Sequence, residues 1–167
     1  RRGELRGVLA LLTVAIALDA ALSGALSPLE RAPAAVRTAT SFAFVVLGDL
    51  RYFYLVERFG AAQGKARAAA LALAFSFVVP IAVLPLRHAE VAERVLYLGY
   101  EVAFFVVALV MLLVVVPRRA AERPPEVRRW LRELTAFELV QYGLWAAADV
   151  LVLAGWDLGY GVRLVPN

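Results

Sequence analysis

The chain has no cysteine, one histidine, one lysine and one methionine among its 167 residues, and these scarcities remove whole classes of chemistry. Without thiols there are no disulfides, thiolate metal ligands or cysteine nucleophiles. A single His88 excludes bis-histidine haem and histidine-rich zinc sites within the chain, and in "PLRHAE" it reads as an interfacial loop residue rather than a pH sensor. Catalytic signatures are missing as well. There is no GxSxG elbow, HExxH helix or Walker loop, and "VVLGDL" lacks the first glycine of the GxGD pattern of intramembrane aspartyl proteases. No ten-residue stretch alternates in the manner of a transmembrane β-barrel strand.

What the chain has in abundance is apolar surface. Hydrophobic residues make up 62%, above the roughly 45 to 50% of ordinary soluble domains, so lipid rather than water is the expected solvent. The apolar residues fall in blocks of near-span length, at about 8–26, 36–56, 66–86, 95–116 and 130–154. Backbone in hydrocarbon must satisfy its own hydrogen bonds, which leaves helices as the form these blocks can take. The expected fold is all-α: a single transmembrane domain over 1–167, an antiparallel bundle of five helices, with room for a sixth beyond Asn167. The first block follows a basic start, but its apolar run exceeds the roughly 7 to 15 residues of a signal core.

Seventeen arginines beside one lysine, with abundant alanine, leucine and valine, fit a GC-rich bacterial genome better than selection for guanidinium chemistry. Their distribution is more informative than their number. Eleven basic residues lie on the amino-terminal tail and the second and fourth connections with Arg132, against five on the other side, which predicts a multi-pass inner-membrane protein with a cytoplasmic amino terminus. A formal net charge of +4 explained by topology gives no case for nucleic acid. The expected partners are the lipid bilayer and either a second copy or another membrane subunit. The Arg-rich "PRRAAERPPEVRRW" reads as topological charge ahead of a contact for anionic lipid or a cytosolic partner. No motif requires a cofactor.

Charges inside the apolar blocks carry the functional expectation. On the second block Asp49 and Arg51 point about 160° apart at 100° per residue. Arg51 can either lay its stem along the helix toward the headgroups or form a buried ion pair. Asp49 is too short to escape, and a carboxylate at mid-membrane costs roughly 2.5 to 3.5 kcal/mol, so it needs a partner, water or a proton. The fifth block places Thr135, Gln141, Tyr142, Trp145 and Asp149 within about 60° of Glu138, a polar stripe opposite Leu139, Val140, Gly143, Ala147, Val150 and Leu151. Such a stripe lines either a hydrated path or a polar seam between helices.

Depth sorts the acids into two layers: Asp49 and Glu138 in the cytosolic half near Arg51 and Gln141, and Asp19, Glu101 and Asp149 in the outer half with no intramembrane basic residue. If the outer acids converge they bind a cation or hold protons, because like charges in low dielectric cannot all ionise. Packing is expected from the small-residue columns Ala66, Ala70, Ala74 and Ala17, Ala21, Ala25, with a kink where Pro80 frees the carbonyl of Ser76. The expected binding residues are thus Asp49, Glu138, Gln141, Tyr142, Asp149, Glu101 and Asp19. The expected function is transport or binding of a cation, proton or small polar solute. The alternatives are a non-catalytic sensor or partner-binding membrane subunit and, third, a lipid-modifying enzyme.

Overall fold

The computed structural model describes residues 2–23, 28–89 and 91–165, and the regular structure in them is helical throughout. In chain order the helices are α1 (Arg2–Ser23), α2 (Ala34–Leu55), α3 (Lys65–Ser76), α4 (Val78–His88), α5 (Glu93–Val110), α6 (Val116–Arg119), α7 (Pro125–Leu153) and α8 (Leu158–Leu164). A single 3₁₀ turn, Pro28–Arg31, precedes α2. Two π-helical turns extend the spans: Val56–Gly60 continues α2, and Met111–Val115 joins α5 to α6 just ahead of Pro117, which has no N–H for the regular ladder.

Among the described residues, four stretches are long and apolar enough to cross a membrane: Ala35–Gly60, Lys65–His88, Glu93–Arg119 and Pro125–Leu153. The shortest has 24 residues, about 36 Å at 1.5 Å per residue, more than a hydrocarbon core of ~30 Å requires. The expected first span, 8–26, runs from α1 into residues outside the described set. The outward surface of the others suits lipid: Ile81, Leu113, Phe137, Val140 and Val150 are all exposed.

Inside, α7 packs along α5, α2 along α3, and α4 along α5. The shared core is aromatic at its centre, where Tyr52 and Phe53 of α2 meet Phe104 of α5, and Phe104 stacks on Tyr142 of α7 with ring centroids 4.1 Å apart. Val79, Val83, Met111 and Leu131 complete it.

The third span breaks where Pro80 predicts. Its helix stops at Ser76 and resumes at Val78, while the Ser76 hydroxyl donates to the Ala72 carbonyl at 2.8 Å. The expected packing column is displaced, however. Ala68, Ala72 and Ser76 are buried, and Ala66, Ala70 and Ala74 are exposed. Small residues occupy both faces of α3, so their spacing alone could not choose between them. Ala17 and Ala21 on α1 are exposed too, and Ala25 lies outside the described residues.

The end of α7 determines what reaches the outer layer. Gly155 adopts φ +80°, which a residue with a Cβ rarely accepts, and two hydrogen bonds close the turn: Gly155 N–H to the Val152 carbonyl and Trp156 N–H to the Leu151 carbonyl. The chain therefore reverses, and α8 returns against α7. At Gly159 the approach is so close that a Cβ would lie 2.6 Å from the Ala148 carbonyl oxygen.

Candidate functional site

Two polar layers lie between the helices, separated along α7 by roughly 10 to 16 Å, the rise from Tyr142 or Glu138 to Asp149 at 1.5 Å per residue. The inner layer joins α2 to α7 through three side-chain bonds. Tyr142 Oη donates to Asp49 Oδ1 at 3.2 Å, Arg51 Nη2 to Glu138 Oε1 at 3.1 Å, and Tyr52 Oη to Thr135 Oγ1 at 3.0 Å. Thr135 in turn donates to the Leu131 carbonyl at 2.7 Å. Residue numbers rise on α2 as they fall on α7, so these two helices run in opposite directions along the seam.

Asp49, Thr135 and Glu138 are buried, as is Tyr52. Arg51 projects from a different side of α2 than Asp49, yet its long side chain reaches Glu138, so of its two expected arrangements the ion pair is the one formed. Asp49 differs from every other buried acid in the described spans. It has no ion pair among the described residues; its Oδ2 is buried without a hydrogen-bond partner, as are Oδ2 of Asp149 and Oε2 of Glu101. Gln141, half-buried on the same stripe, has an equally unpartnered Oε1.

The outer layer is built differently. Asp149 Oδ1 accepts from Arg94 Nη1 at 3.0 Å and from Arg163 Nη1, which also donates to Glu101 Oε1 at 3.0 Å. Glu101 and Asp149 thus come together through a shared guanidinium, and the expectation that no basic residue accompanies them does not hold. Two carboxylates face two guanidiniums, and their formal charges cancel. Asp19 lies on α1, but its side chain is outside the described residues, and it is not placed in either layer.

The fifth-span stripe is inward at Thr135, Glu138 and Asp149, and Val140 and Val150 on the opposite side are exposed as expected. Gly143 and Leu139 are not: Gly143 faces the Phe105 ring, and Leu139 packs at the core margin. Sequence reasoning missed the contributions of Arg94, Arg163, Tyr52 and Glu57. Glu57, on the π turn after α2, is buried and accepts from Arg119 Nη1 at 3.2 Å. Gly155 was the available signal for Arg163, since a glycine just beyond a helix end marks a reversal that carries the following residues back. Arg94 lies one residue outside the expected fourth span, 95–116, where its sequence position alone reads as a loop charge.

Among the described residues no three acidic or histidine side chains gather as a metal site. Comparison with known protein families, with characterised proteins and with solved structures finds no match for this chain.

Proposed function

We propose that this chain is a small polytopic membrane protein that binds a proton at Asp49 and moves it, or a small polar solute coupled to it, along the polar face of α7. In this reading α1 forms a fifth span, the bundle is antiparallel in the inner membrane, and the basic connections face the cytoplasm. The observation that carries the reading is Asp49 itself: an acid enclosed in a membrane span, held on one oxygen by Tyr142, bare on the other, and lacking a cationic partner. Low dielectric favours the neutral form of such a group. A proton meets that need better than Ca²⁺ or Mg²⁺, which take six or more oxygen ligands where this site offers one carboxylate and a few neutral groups.

Glu138 and Gln141 flank Asp49 in this scheme, and Arg51 holds Glu138 in an ion pair beside it. Proteoliposomes containing the protein should dissipate an imposed pH gradient faster than empty vesicles. Asp49→Asn should reduce that rate at least tenfold, and wild-type vesicles no leakier than empty ones would remove transport from the reading.

A second reading, a sensor or partner-binding subunit, draws on the charge-matched outer layer, whose ion pairs tie α5, α7 and α8 together in the manner of a structural clamp. It predicts no flux in wild type or variant, with self-association or subunit capture lost when Glu138 or Gln141 is replaced.

A further inference from the structure

At the basic end of the spans, a cleft of about 340 Å³ opens between the chain leaving α2 and the turn after α6. Gly60, Ala61 and Ala62 form one wall, and their small side chains leave it open. Arg118, Arg119 and Arg123 stand around the other, with Glu122 as the lone acid of the lining. The arginines are not equivalent. Arg119 is committed to the buried Glu57, whereas Arg118 has neither hydrogen bond nor ion pair from its side chain among the described residues. Arg123 is half-buried, and its Nε is a buried donor with no acceptor.

A buried N–H without an acceptor is costly, and a guanidinium presents donors in a fork matched to paired oxygens of a phosphate or carboxylate. Position narrows the choice. Gly60 and Arg119 are the last residues of two membrane-crossing stretches, which sets the cleft at the depth of lipid headgroups. We infer that this cleft binds a phosphate group, with Arg118 and Arg123 as its ligands, presented either by an anionic lipid headgroup or by a soluble phosphoester.

The test uses the full chain in detergent micelles and nanodiscs, with phosphatidylglycerol, phosphatidylcholine and inorganic phosphate as probes and native mass spectrometry and thermal shift as readouts. Phosphatidylglycerol should be retained at least tenfold more than phosphatidylcholine. Arg118→Gln, a change at an exposed side chain with no contacts to lose, should weaken that preference several-fold, and Arg118→Gln with Arg123→Gln should abolish it. Protection by millimolar inorganic phosphate without lipid would identify a soluble phosphoester as the source.

Arg128→Gln with Arg132→Gln removes the same charge from exposed positions of α7 outside the cleft and should leave the preference intact. Equal loss in both double variants would overturn the inference in favour of diffuse surface charge. So would a wild-type protein that discriminates neither lipid and is unaffected by phosphate.

Discussion

The inner and outer polar layers use the same residue types and solve the burial problem in opposite ways. In the outer layer Asp149 and Glu101 are matched by Arg94 and Arg163, two cations for two acids. In the inner layer Arg51 is matched to Glu138, and Asp49 is left with a phenol. An ion pair in a membrane is a tie between helices, whose energy falls steeply when either member is removed. An acid held only by Tyr142 contributes little as a tie. On the proposed reading the outer layer serves assembly, and the inner one holds the group that takes up the proton.

The sharpest way to break that contrast is to neutralise one aspartate in each layer. Asp149→Asn leaves Arg94 facing an amide in place of a carboxylate and should lower stability in detergent by about 3 kcal/mol, the scale of losing one partner of a buried pair. Asp49→Asn keeps an acceptor for Tyr142 and removes an uncompensated acid, so its effect should stay within about 1 kcal/mol. Unfolding midpoints in a denaturing detergent titration read both. Equal losses would mean that Asp49 is as structural as Asp149.

A smaller effect probes the neutral part of the inner seam. Tyr52→Phe deletes the hydrogen bond to Thr135, but Thr135 still donates to the Leu131 carbonyl, so no proton is stranded. The expected loss is about 0.6 kcal/mol, the average for a side-chain hydrogen bond between membrane helices. A loss several times larger in the same titration would show that the seam is a coupled network, in which Asp49 could not change charge without disturbing α2 against α7.

Composition and block length made the helical, membrane-crossing character legible, because lipid imposes one solution on backbone of that length. Pro80 located the break in the third span for an equally local reason. The stripe on α7 was legible from a 100° step, and it brought Glu138 and Asp149 inward. Partners were another matter. Whether Arg51 lies along its own helix or crosses to Glu138 depends on which neighbour stands within reach of a long side chain, and nothing within α2 encodes that. Arg163 reaches Asp149 and Glu101 because α8 folds back against α7 at Gly159, a tertiary contact with no periodicity. The choice between Ala66 and Ala68 as the packing face failed for the related reason that both faces of α3 are equally small.

The comparison extends to an ion pair outside both layers, ahead of the expected first span. Arg58 donates through Nε and Nη2 to the two oxygens of Glu4, at 2.7 and 2.9 Å, joining the start of α1 to the π turn after α2. The hydrogen bonds from Arg58 hold the Glu4 carboxyl below its usual range, against a smaller upward push from desolvation. A carboxyl lowered on docking stabilises the docked form above its undocked pKa, near 4.3, and loses that contribution as pH falls through the lowered value. The second turn of α1, whose amides are hydrogen-bonded within the helix, should therefore exchange faster at acid pH than at neutrality, after correction for intrinsic rates. Glu4→Gln should exchange at the faster corrected rate throughout and show no such transition.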